Sequence, residues 1–261
     1  MKYIILKSLT AITIYITANI ASASLMTLDL LSPSSSPLIN YHNPYKNAFF
    51  NNNDGFQIYN TATNSNIATN LLDNSLTITS DDLGIINSTN QGNFFGIVDT
   101  VNPDNLAEYA SASWQIDISN LNSLLFLIDM AAMGDFENSD HFSWQYNIDG
   151  GSFVSIFESS VEEDNAQNYL LESKNLVTLN DPLSINSQFL NNSFQHFSSP
   201  LIGNGKALTL VLNAKLNGTN EVLAFQNIRL NAQTNSVKVY EPSSLILFAI
   251  ALCLLIARLM R

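Results

Sequence analysis

The chain has 261 residues, and its 22 Asp and Glu against 10 Lys and Arg give a net charge of −12. An acidic surface of this kind repels the phosphates of nucleic acid and of anionic lipid headgroups, so partners of those classes are excluded. Its one cysteine, Cys253, excludes an intramolecular disulfide, and stability must come from a core that a chain of this length can bury.

At the N-terminus Lys2 and Lys7 precede an apolar stretch from Leu9 to Ile20, which ends in Ala21-Ser22-Ala23. A basic start, a short apolar centre and an A-x-A end are the parts of a secretory signal peptide, predicted over residues 1–23 with Ala21 and Ala23 marking cleavage. The mature chain is then exported. Four of the ten basic residues lie in the two end segments and every acid lies between Asp29 and Glu241, so the exported part sets six basic residues against 22 acidic ones, a net charge of −16. That balance favours cations or neutral glycans.

Residues 24–40 hold Leu31-Ser-Pro-Ser-Ser-Ser-Pro37, which reads as a Pro/Ser-rich N-terminal arm. Residues 41–232 read as β. Trp114, Ile116 and Ile118 alternate with polar neighbours, as do Phe142, Trp144, Tyr146 and Ile148, and Leu208, Leu210, Leu212, Ala214 and Leu216. Leu124 to Ile128 is a continuous apolar run, suited to a strand buried on both faces. Asp149-Gly150-Gly151 and Asn217-Gly218-Thr219-Asn220 read as tight hairpin turns. Ser160 to Lys174 is the best place for one short helix. Many short strands punctuated by turns predict an all-β fold, an antiparallel β-sandwich with one core and no second. Trp114, Phe126, Trp144, Leu210 and Phe225 occupy the apolar phases and are expected in that core. Trp144 and Tyr146 share a face with Phe142 and Ile148, which makes them core residues and not a sugar-stacking platform. Phe94 and Phe95 are adjacent and must point to opposite faces, one of them toward a loop-end cleft or the sandwich edge.

Signals for an enzyme are weak. His42, His141 and His196 are the only histidines, no serine sits in a G-x-S-x-G elbow, and neither H-E-x-x-H nor C-x-x-C occurs. His141 stands at a strand start and is expected to face solvent. The best candidate site is Gly134-Asp135-Phe136-Glu137-Asn138-Ser139-Asp140, where Asp135, Glu137 and Asp140 offer the hard oxygen ligands that Ca²⁺ takes. The plainer alternative is a solvated loop whose Asp accepts from backbone N–H groups. Asn51-Asn-Asn-Asp54-Gly55 lacks the alternating ligand spacing of an EF-hand and reads as a turn.

Leu121 through Ala132, Gly134 through Asp140, Tyr146 through Phe153 and Ala224 through Leu230 together resemble a jelly-roll module of secreted bacterial proteins, similar to galactose-binding-like carbohydrate modules. The resemblance implies a fold and leaves the role open.

Residues 233–261 form a polar linker and a tail. Val239-Tyr240-Glu241-Pro242-Ser243-Ser244 leads into an apolar run from Leu245 to Ala257, closed by Arg258 and Arg261. Pro242 keeps Glu241 out of the helical region and starts the helix, while the arginines act as a membrane stop, predicting a short C-terminal transmembrane helix with an exposed joint before it. In this order the sorting motif Glu241, Pro242, Ser243 and Ser244, the apolar helix and the basic end resemble the PEP-CTERM signal of Gram-negative bacteria that make exopolysaccharide. Tyr240 stands in place of that motif's first proline. The resemblance implies an exosortase-type membrane protease as partner, transient residence in the inner membrane, and delivery to the cell surface or extracellular matrix. The sequence therefore reads as a non-enzymatic exported surface or exopolysaccharide-matrix protein. A carbohydrate-binding sandwich is the alternative, and a secreted hydrolase comes third.

Overall fold

The computed structural model describes residues 24–32, 39–49, 53–63, 66–73, 84–107, 109–234 and 243–260. Residues Leu25–Thr234 make one compact unit. Its first sheet contains β1 (Leu25–Asp29), β3 (Gly55–Asn60), β4 (Asn93–Val98), β6 (Leu121–Met133), β13 (Gln195–Pro200) and β15 (Val222–Thr234), ordered β13-β6-β15-β4-β3 with β1 added beside β15. The second contains β2 (Ile39–His42), β5 (Ala110–Asp117), β7 (His141–Ile148), β8 (Val154–Val161), β11 (Leu183–Ile185), β12 (Gln188–Phe189) and β14 (Ala207–Lys215), ordered β12-β11-β8-β7-β14-β5-β2. All these pairings are antiparallel.

The inner faces of the two sheets meet in a core where Trp114, Phe126, Trp144, Leu210 and Phe225, the five expected residues, are all fully buried. Trp144 packs against Trp114 at 5.3 Å between ring centroids, Phe126 at 5.2 Å and Phe225 at 5.8 Å, with offset or edge geometry suited to the aromatic quadrupole. The Trp114 indole N–H donates to the Leu30 carbonyl at 2.9 Å, so its polar edge is satisfied inside the core. On β15 the inward apolar positions run 223, 225, then 228, 230 and 232. The break in period is a β-bulge between Gln226 and Arg229, with Asn227 at φ 50°, and it returns the strand's apolar set to the inner face.

Several expectations need correction. A second core exists: β9 (Ala166–Leu170) and β10 (Leu176–Asn180) form a separate hairpin whose Tyr169, Val177 and Leu179 pack with Leu71, Ile85, Phe94, Ala131, Met133, Val222 and Ala224. These last five are on the outer face of the first sheet or against it, so that face is covered by a further layer. Phe95 enters the main core and Phe94 this second one, which fixes the two directions that the sequence left open. The segment buried on both faces is therefore Met130–Met133; Leu125 and Leu127 are only half-buried. No helix forms between Ser160 and Lys174, where the end of β8 and all of β9 lie instead, because alternate residues there meet the second core. Residues of the presumed N-terminal arm supply β1 and part of β2, which pair with β15 and β5. Asp149-Gly150 does turn a hairpin, with both residues at positive φ. Asn217 to Asn220, by contrast, is an arch that carries the chain from β14 in one sheet to β15 in the other.

The tail helix, α1 (Ser243–Leu259), forms where the apolar run predicts it. Its 17 residues extend about 26 Å at ~1.5 Å each, less than a hydrocarbon core of about 30 Å. No helix among the described residues is long and apolar enough to cross a membrane, so the expected transmembrane span is not supported. Ser243 and Ser244 open α1 and Arg258 is in its last turn, while Ala21, Ala23, Glu241, Pro242 and Arg261 lie outside the described residues.

Candidate functional site

Two places in the sandwich gather polar side chains. The first is the acidic corner at the loop between β6 and β7. Phe136 docks into the core at 1% exposure, which turns Asp135 and Glu137 outward on either side of it. The loop then closes: the Asp140 N–H donates to the Glu137 carbonyl at 2.7 Å, and the Asp140 carboxylate accepts from the Glu137 N–H at 2.8 Å and the Asn217 N–H at 3.2 Å. The β14–β15 arch brings in Glu221, whose carboxylate accepts from the Gly218 N–H at 3.1 Å. Glu137, Asp140 and Glu221 place carboxylate oxygens within 4.8 Å of one another. Asp135 is not in this group, and Glu221, which has no neighbour in the loop sequence to announce it, takes its place.

Asp140 and Glu221 are buried, and burial disfavours their charged forms. Burial and then the Glu137 hydrogen bond and charge push Asp140 up to about 6. Glu221 rises to about 9 through burial, the charge of Asp140 and contact with Glu137. No basic side chain contributes to either shift. Thr219 of the same arch also lines a cleft of about 290 Å³ with Asp54, Asp99 and Asp104. There Asp99 is pushed up to about 6 by burial and by Asp54. At this end of the sandwich burial and neighbouring carboxylates favour the protonated forms of Asp99, Asp140 and Glu221.

The second place is the outer face of the seven-stranded sheet. Ser111 of β5 is opposite Asn213 of β14, Asn213 is opposite Ser143 of β7, and Ser143 is opposite Glu158 of β8. One row of polar side chains thus crosses four adjacent strands, with Gln145 beside it. These residues line a cleft of about 400 Å³ together with Tyr45, Tyr109 and His141. None of the five row and neighbour side chains hydrogen-bonds another described residue; Glu158 is exposed, Ser111, Gln145 and Asn213 are half-buried, and Ser143 lies at the floor with 8% exposure.

Tyr109 is 41% exposed and meets His141 edge-on at 5.1 Å between ring centroids. Tyr45 is braced on Phe56 at 6.1 Å. Nδ1 of His141 is 3.2 Å from the Ser139 carbonyl, an acceptor, so Nδ1 carries the proton there and Nε2 is left open. His141 makes no hydrogen bond to Ser143 or Glu158. Of the other histidines, His196 contacts Asp129 at 2.7 Å on the first sheet and His42 is exposed at the end of β2.

Alternation in sequence marks Ser143, Gln145 and Asn213 as outward-facing. Their meeting with Ser111 and Glu158 depends on strand order and register, which alternation does not encode.

Neither a family model nor a curated protein matches the chain. Among solved structures it is similar to a Stig cyclase, Fisc, from Fischerella sp. TAU in complex with a pyrrolidinylidene-indole, at 11% identity and TM-score 0.37 over 76% of this chain and 86% of that one. It is also similar to TmCBM61 in complex with β-1,4-galactotriose, at 8% identity and TM-score 0.33 over 75% and 88% of the two chains. A third likeness is to the enzymatically active domain of tailspike protein 4 of bacteriophage CBA120, at 11% identity and TM-score 0.29 over 82% of this chain and 20% of that one. At such scores none of the three assigns an activity, and the sandwich fold rests on the chain's own strand pairing.

Proposed function

We propose that this is an exported surface or exopolysaccharide-matrix protein whose jelly-roll-like sandwich binds carbohydrate on the outer face of its seven-stranded sheet. The cross-strand polar row with Tyr109 at its side carries this reading: sugars present hydroxyls to amide, hydroxyl and carboxylate groups and C–H faces to aromatic rings. The cleft volume also falls in the range of small-ligand sites, about 300 to 1,000 Å³. Binding without turnover is favoured because Glu158 is the one carboxylate among the described lining residues, whereas glycoside hydrolysis ordinarily uses two. A glycan array probed with the purified chain tests the reading; it fails if no glycan is retained, and turnover of a retained polysaccharide would revive the hydrolase.

Routing by the PEP-CTERM-like tail belongs to the same proposal. An N-terminal signal peptide ending at Ala23, a Glu241-Pro242 joint, a short helix and Arg258 and Arg261 at the end occur in the order that an exosortase-type protease would use in the inner membrane. The shortness of α1 suits a sorting tail that is removed better than it suits a permanent anchor. At the acidic corner we extend the reading to Ca²⁺ held by Glu137, Asp140 and Glu221, supported by their oxygen-only chemistry and by the absence of a basic partner among the described residues. A melting temperature indifferent to millimolar Ca²⁺ and to chelator would leave a solvated loop.

A further inference from the structure

The polar row on the outer sheet face has a length and a charge. Four neighbouring strands lie about 4.8 Å apart, so the distance from Ser111 to Glu158 across the sheet is roughly 14 Å, longer than one sugar ring. Along the row come a hydroxyl, an amide, a second hydroxyl and a carboxylate, each standing on a different strand. A ligand that uses all four must lie across the strands. Tyr109, immediately before β5, and His141, the first residue of β7, meet at 5.1 Å and form a wall beside the row.

The charge of the described lining lies at one end. Glu158 is the row's one carboxylate, and no Lys or Arg is among the described residues that line the cleft. Lys215 is opposite His141 on β14 and, two residues from Asn213, shares the outer face just outside the described cleft lining. An exposed carboxylate disfavours a second one at about 4 Å by roughly fivefold even in water-like dielectric, and by more where the ligand displaces water. A neutral sugar suffers no such penalty, and two adjacent hydroxyls of one ring can both donate to a single carboxylate.

Resting on the reading of this face as a glycan site, we infer that its ligand is a neutral oligosaccharide lying across β5, β14, β7 and β8, recognised over more than one ring, and that acidic polysaccharides are rejected by Glu158. The full chain is titrated calorimetrically with cello-, galacto- and manno-oligosaccharides of one to six units, and with galacturonate and mannuronate oligomers of the same lengths. At least one neutral series binds, its affinity rises about tenfold or more from one unit to three, and the uronates bind at least about fivefold more weakly than their neutral counterparts.

Glu158→Lys reverses the preference between neutral and uronate oligomers, and Glu158→Gln reduces it; Glu158 is exposed, so neither change disturbs the core. Asn213→Ala removes the middle of the row and flattens the length dependence. Retention of a glycan with equal affinity for one unit and three overturns the cross-strand length, and equal affinity for uronates overturns the role of Glu158. If neither charge class binds at all, the glycan reading itself falls and this inference falls with it.

Discussion

Glu221 is 4% exposed and shares its surroundings with Asp140 and Glu137, so charge at this corner opposes folding. Its carboxyl titrates near 4.5 when the chain is unfolded and is pushed up to about 9 in the fold. Between those values the folded chain holds a proton that the unfolded chain has released. Stability is therefore fully present below about pH 4.5 and is lost as pH rises toward 9, with Asp140 and Asp99 adding to the decline up to about 6. Urea midpoints measured without divalent cations should fall steadily from pH 5 to pH 9, and Glu221→Gln should flatten that slope. If Ca²⁺ occupies the corner, it competes with those protons, so millimolar Ca²⁺ should raise the melting temperature more at pH 8 than at pH 5. Part of this corner was legible in sequence, because Glu137 and Asp140 belong to one short loop and the loop had to be polar. Glu221 was not, since a sheet-to-sheet arch delivers it from far along the chain, and Asp135 stands apart from the other carboxylates because Phe136 enters the core between it and Glu137.

Among the elements, β4 shows how the third layer constrains its neighbours. A Cβ on Gly96 would stand 2.5 Å from Cδ1 of Leu71 and 2.9 Å from Cε2 of Tyr59, since the segment before Leu72 lies directly on the strand. Gly96→Ala should cost about 1–3 kcal/mol in unfolding free energy through overpacking, read from chemical denaturation. Trp144→Ala, which empties the centre of the main core, should cost about 3–5 kcal/mol by the same measurement. The strands facing the main core were legible because one apolar face gives a clean period of two. The hairpin of β9 and β10 escaped detection: Tyr169, Leu171, Val177 and Leu179 bury one side only, and the intervening polar residues diluted the pattern into an apparent helix. The bulge at Asn227 likewise breaks the period in sequence while preserving the apolar face in space.

At the scale of the whole molecule, the sandwich and the tail are separate matters, and each can be tested without the other. Intact mass spectrometry of protein recovered from the cell surface should give a C-terminus near Glu241 or Pro242; a mass that still includes Arg261 would show that the tail is retained. Within the sandwich, β15 pairs with β6, β4 and β1, so the centre of the first sheet is the last strand to be made. Thr27 and Asn231, hydrogen-bonded partners across β1 and β15, are 204 residues apart. At about 5–20 residues per second, synthesis of that interval takes roughly ten to forty seconds. Throughout it β1, β4 and β6 have open edges that can pair with any other strand, their own chain's or a stranger's. The nascent chain can pair the second sheet but cannot complete the first, and a chaperone that shields the open edges of β1, β4 and β6 until residue 234 has emerged would decide between folding and aggregation.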